Sequence, residues 1–219
     1  MPLSWHAPGG SEELALACGP ALGQRLLVLP AWFDEGNKLR HFTVETMRAL
    51  ERLGIASVLP DLPGCNESAA PLAAQDLASW KTVAASAAEH FACTHVLTIR
   101  AAAAIAPDLP GWSYARVAGK SALRALLRAA TIAAKEAGEA VTSDALLERG
   151  QSEGLRLAGY QLGAGMVTAL AAAELPASAL TTIAQSELGG PGLWLRAEPE
   201  HDPAQAEALA RIVAAGMRA

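Results

Sequence analysis

Three strand-length apolar runs, separated by helix-patterned stretches, constrain this chain more than any other feature. Arg25–Ala31 (RLLVLPA) is a continuous run of the kind expected of a strand covered on both faces, Ile55–Pro60 reads as the next strand, and β-branched Thr94–Ile99 as a buried one. Strands covered on both faces and joined through helices imply a mainly parallel, doubly wound sheet. Asn37 predicts the N-cap of the first helix, with Phe42, Met47, Leu50 and Leu53 as its apolar stripe and Gly54 as its stop. A second helix is expected over Asp76–Phe91, and Glu13–Cys18 reads as a short edge strand.

Further along, Trp112–Val117 reads as a strand and Ser121–Ala137 as a helix carrying Leu123, Leu126 and Leu127. Leu155–Leu157 predicts a short strand and Val167–Leu175 a helix. Leu180–Ala184 and Gly192–Ala197 predict two late strands before a terminal helix, Pro203–Met217, with Pro203 in its first turn. The expectation is an α/β fold of about six strands with helices on both faces. No Gly/Ser- or Pro-rich linker divides the 219 residues, so one domain is expected, with room for a short lid only within 118–165.

The junction after Thr94–Ile99 has the setting of a catalytic motif without its nucleophile. A strand-to-helix turn of the form small-x-Ser-x-small presents a strained, exposed serine in many hydrolytic α/β enzymes. Here the turn reads Thr98-Ile99-Arg100-Ala101-Ala102, with Arg100 in the nucleophile's place. A guanidinium stays protonated at physiological pH and cannot attack a carbonyl.

Composition excludes several other classes. A net charge of −5 with no arginine- or lysine-dense block argues against nucleic acid. Cys18, Cys65 and Cys93 are odd in number and lack CxxC spacing, which suits a reducing compartment and provides no zinc framework. MPLSWHAPGG has neither a basic nor an apolar signal region, and no apolar run reaches the roughly 20 residues that span a bilayer. A cytoplasmic location is the expectation. Gly163-Ala-Gly165 is too short for a phosphate loop and reads as a helix lead-in, so no cofactor is expected.

Several segments, in order, resemble one family. Leu29–Arg40, LPAWFDEGNKLR, is similar to a PPF-x-EE-x-NK-x-R signature, and Asp61–Ser68, DLPGCNES, to a D-L-x-G-C-G-D-S loop. Ile99–Ala102 falls where the pattern is G-L-R-x-G, and Val117–Arg128 resembles V-x-GK-x-FL-x-x-FLR. Gly159–Leu175 and Trp194–Leu209, the latter through W-x-R-x-EP-x-x-DP, complete the likeness to the type 2 exosortase-A-system-associated hydrolases of the α/β-hydrolase superfamily. The chain departs from the pattern at Gly36, Leu39, Asn66, Thr98 and Ala102. The resemblance implies an α/β-hydrolase-like fold, an arginine at the elbow as a family trait, and association with exopolysaccharide production and envelope protein sorting. It implies no defined substrate.

A Ser-His-acid triad on this fold needs its histidine after the elbow, and His201 is the only one there. It lies in an acidic turn, EPEHDP, that reads as a solvated loop. Cys65 follows a strand end without a histidine beside it and reads as a packing residue. Both are weak catalytic candidates.

The charges at strand ends carry more. Glu35, Asn37, Lys38 and Arg40 follow the first central strand, Asp61 the second and Arg100 the third, so all converge on one sheet edge as a candidate ligand cleft. A cation at a helix N-terminus is disfavoured unless paired, so Arg100 should hold a carboxylate, Glu35 first and Asp61 second. The competing reading is an anion pocket built from Arg100, Lys38 and backbone amides. Lys120, Arg124 and Arg128, spaced by four with Arg116 just before them, share one helix face. That face is either solvated or a dock for an acidic partner, an anionic polysaccharide or a membrane surface.

Three functions fit. One is a pseudo-hydrolase that binds or assembles, its partner an unknown small molecule or protein of an envelope polysaccharide or sorting system. The second is an active ester or acyl hydrolase with a non-standard site. The third is a small-ligand sensor using the same cleft. A homodimer stays open.

Overall fold

The computed structural model describes residues 1–19, 23–175, 177 and 179–218. Seven strands form the main sheet: β1 (Pro2–His6), β2 (Glu12–Cys18), β3 (Arg25–Leu29), β4 (Ala56–Pro60), β5 (His95–Ile99), β6 (Gly111–Tyr114) and β9 (Thr181–Ile183). Their spatial order is β1-β2-β4-β3-β5-β6-β9. β4, β3, β5, β6 and β9 run parallel, while β1 and β2 form an antiparallel border.

The pleat explains why the central runs are apolar throughout. In β3, Leu26 and Val28 face a core layer shared with Leu97 and Ile99 of β5, α1 (Phe33–Arg52) and α7 (Pro203–Met217). Leu27 and Leu29 face the opposite layer, where Val96, α2 (Leu77–His90), α3 (Gly119–Glu136) and α5 (Ala164–Ala172) pack. A polar residue anywhere in Leu26–Leu29 would therefore enter one core or the other. Buried Thr98 instead donates to Ser113 at 2.9 Å, so that both hydroxyls find a partner inside the sheet. Gly111 is required where β6 begins, because a Cβ there would stand 1.9 Å from the Val96 carbonyl oxygen.

The excursion between β6 and α5 holds α3, α4 (Ser143–Glu153) and a small hairpin of β7 (Leu155–Leu157) and β8 (Tyr160–Leu162). Leu123, Leu126, Leu127 and Leu146 sink into the same core layer as α2 and α5. A short helix, α6 (Gln185–Leu188), follows β9. Among the described residues no helix is long and apolar enough to cross a membrane.

Several sequence expectations shift. β1 was not anticipated, which brings the main sheet to seven strands rather than about six, and β8 of the separate hairpin was not anticipated either. The first helix starts at Phe33, not after Asn37, which lies inside it. Asp34 and Glu35 occupy its first turn, where carboxylates suit the positive end of the helix dipole, and Asp34 pairs with Lys38 at 2.8 Å. The alanine run after β5 is a 3-10 segment, Arg100–Ile105, halted before Pro107. Gly192–Ala197 is not a strand. Its Leu193–Leu195 is a 3-10 turn, held next to Pro191, whose carbonyl accepts from Gln205 at 3.1 Å.

Candidate functional site

The loops after β3, β4 and β5 meet at one edge of the sheet, and Arg100 opens the third. Its backbone takes the left-handed region, φ 59°, directly after extended Ile99. That torsion is unfavourable for a residue with a Cβ and is the one a nucleophile elbow uses. The elbow geometry is therefore present with a guanidinium in place of a hydroxyl.

Every nitrogen of that guanidinium is engaged. Nε donates to Glu35 Oε2 at 3.0 Å and one terminal nitrogen to Glu35 Oε1 at 2.8 Å, a bidentate fork. The other terminal nitrogen donates to the Ala115 carbonyl at 2.8 Å. The Trp194 ring covers its face, 4.0 Å from the guanidinium carbon. The Arg100 side chain keeps only 11% of its exposure, and Glu35 23%. Behind it, burial pushes the Tyr114 hydroxyl above the ordinary tyrosine range, with the Arg100 charge pulling the other way. Tyr114 donates to Gln185, which in turn donates to Gln205.

The remaining cleft candidates separate into other partnerships. Lys38, the other cation of the competing anion-pocket reading, pairs with Asp34 at 2.8 Å. Asp61, the second-choice partner for Arg100, accepts instead from Asn66 at 2.7 Å and from Arg40 at 3.4 Å. Asn37 donates to the Tyr160 hydroxyl of β8 at 2.8 Å.

No base serves the elbow. The His201 ring stacks on His41 of α1, centroids 4.2 Å apart. Among the described residues no histidine lies within hydrogen-bond distance of a serine or cysteine side chain. The histidine hydrogen bond there is that of His95 with Thr94, at the far end of β5. Burial, with Asp61 and Glu13 nearby, pushes the Cys65 thiol up to about 12, so it remains a neutral SH. No group of three or more His, Cys, Asp or Glu among the described residues could hold a metal ion.

Beside the plugged elbow, between the β3–α1 and β4–α2 loops, lies a cavity of about 100 Å³. Trp32, Phe33, Asn37, Arg40, Cys65 and Tyr160 are among its walls, and Arg100 is not. Tyr160 and Phe33 meet edge to face, 5.3 Å between centroids, at this wall.

Lys120, on the basic stripe of α3, pairs with Glu174, while Arg124 and Arg128 are exposed. Sequence reasoning missed the roles of Trp194 and Tyr160. Trp194 had a signal, as the first residue of the W-x-R-x-EP-x-x-DP block. Tyr160 had only its place in the Gly159–Leu175 block, because a three-residue strand carries too little pattern to read.

No protein-family model matches this chain, and no curated protein matches it. Solved structures do. An esterase from Exiguobacterium antarcticum is 15% identical over 80% of this chain and 75% of its own, with a TM-score of 0.52. An epoxide hydrolase from Mycobacterium thermoresistibile is 19% identical over 58% of this chain and 44% of its own, TM-score 0.45. One from Vigna radiata is 17% identical over 45% of this chain, TM-score 0.38, and this chain spans only 30% of its length. At such identities the likeness concerns fold alone. The seven-stranded order and the esterase match give this chain the α/β-hydrolase fold.

Proposed function

We propose that this α/β-hydrolase-fold chain is a pseudo-hydrolase, a protein that binds or assembles where its fold relatives cleave. The observation that carries the reading is the seat of Arg100. It occupies the elbow with the elbow's own torsion, and its donors are spent on Glu35 and Ala115. Among the described residues no serine or cysteine stands at the elbow, no histidine stands beside it, and the residue that does stand there is held in a bidentate ion pair. Fold does not decide function, so the argument rests on these side chains. The sequence resemblance to exosortase-A-system-associated hydrolases supports a setting in an envelope polysaccharide or protein-sorting system.

The test is a fluorophosphonate probe together with a panel of short acyl esters. The expected outcome is no covalent labelling and no turnover above buffer. Arg100→Ser should restore neither, because no histidine is positioned to take the serine's proton. Labelling of the parent chain would instead establish an active hydrolase with a non-standard nucleophile.

A further inference from the structure

The cavity beside the elbow differs from the plug in having hydrogen-bond donors left over. Its walls come from the start of α1, the loop after β4 and the hairpin residue Tyr160. Tyr160 accepts from Asn37, and its own hydroxyl hydrogen has no acceptor among the described residues. The Cys65 thiol, protonated at any ordinary pH, is a further weak donor. Arg40 lines the cavity with a guanidinium that spends only one long bond, 3.4 Å, on Asp61. Trp32 is 3% exposed, and its buried indole N–H has no partner among the described residues.

Three of the four carboxylates near the cavity are paired with cations, and the fourth, Glu13, accepts from Ser68 with one oxygen. Asp34 is turned to Lys38 and Glu35 to Arg100, while Asp61 accepts from both Asn66 and Arg40. Phe33 and Leu62 add apolar surface to the lining. A guanidinium, a phenol and an amide facing an aromatic wall suit a molecule with a carboxylate at one end and a short alkyl group at the other. The volume corresponds to about three waters, room for one small organic ion.

We infer that this cavity is a binding site for a short-chain carboxylate of about propionate size, separate from the closed elbow. The carboxylate lies against Arg40, the Tyr160 hydroxyl and the Trp32 indole N–H, and the alkyl end against Phe33 and Leu62. Nothing in this assignment requires the elbow to be catalytic or dead, so it stands or falls independently of the pseudo-hydrolase reading.

The experiment is a titration of the full chain with propionate, followed by the Trp32 indole N–H in a proton–nitrogen correlation spectrum, with propionamide as the neutral isostere. A saturable shift is expected, weakened about tenfold by Arg40→Gln and by less in Tyr160→Phe, which keeps the ring. Propionamide should bind at least about tenfold more weakly than propionate. If Arg40→Gln fails to fold, Tyr160→Phe decides. An absent saturable shift at tens of millimolar propionate overturns the site. So does unchanged affinity in the folded variants, or propionamide binding as well as propionate.

Discussion

The elbow and the neighbouring cavity occupy the same edge of the same sheet, yet their polar groups are spent in opposite ways. At the elbow, Arg100 makes three hydrogen bonds and one ring contact, and Glu35 answers it with both oxygens. In the cavity, Arg40 and Tyr160 keep donors in hand. A buried charge must be matched, but a group at a cavity wall can leave matching to a ligand. The contrast shows that convergence of charged loops does not by itself make a binding site. What matters is which of those charges the fold has already consumed.

The largest expected effect breaks the elbow side of that contrast. Arg100→Ala leaves Glu35 without its partner and should lower unfolding free energy by roughly 3–5 kcal/mol, measured by urea denaturation. A variant as stable as the parent would mean the pair does not close the cleft, and the elbow would then belong with the cavity as an anion-binding region.

Next comes the thiol on the cavity side. Cys65 has an ordinary thiol value of 9.0 when unfolded and about 12 when folded, raised first by burial and then by Asp61 and Glu13. Because the folded value is the higher one, its contribution is fully present below pH 9 and is lost as pH rises toward 12. That alkaline loss should amount to roughly 2–4 kcal/mol and be absent from Cys65→Ala, with stability followed across pH in both proteins. Overlapping profiles would show that Cys65 is solvated and the cavity open.

The smallest effect separates packing from charge at the elbow. Trp194→Ala removes the ring over Arg100 but keeps the Glu35 fork, so it should cost about 1 kcal/mol and leave the elbow inert toward fluorophosphonate. A loss as large as that of Arg100→Ala would show that Trp194, rather than Glu35, holds the guanidinium in place.

Much of this architecture is legible along the chain because it depends on local periodicity. The continuous run in β3 and the stripe of α1 each announce an element that buries two faces or one. The errors arise where the local signal is short or ambiguous. A three-residue strand such as β8 leaves no period to detect, and the alanine run after Arg100 is helix-forming by propensity yet only a 3-10 segment before Pro107. Gly192–Ala197 has strand-like residues, but the turn carrying Trp194 to Arg100 prevails over their preference.

The sequence by itself determined that a cation replaces the elbow nucleophile, that no well-placed histidine follows it, and that Arg100 needs a carboxylate. Those are properties of residue type and order. Only the tertiary structure decided that Glu35, 65 residues away, takes two of the three guanidinium nitrogens, that Lys38 and Asp61 are engaged elsewhere, and that Tyr160 lines a separate cavity. Each of these is a competition among groups brought to one sheet edge from distant parts of the chain. Distance and desolvation settle it, and neither can be read from a string of residues.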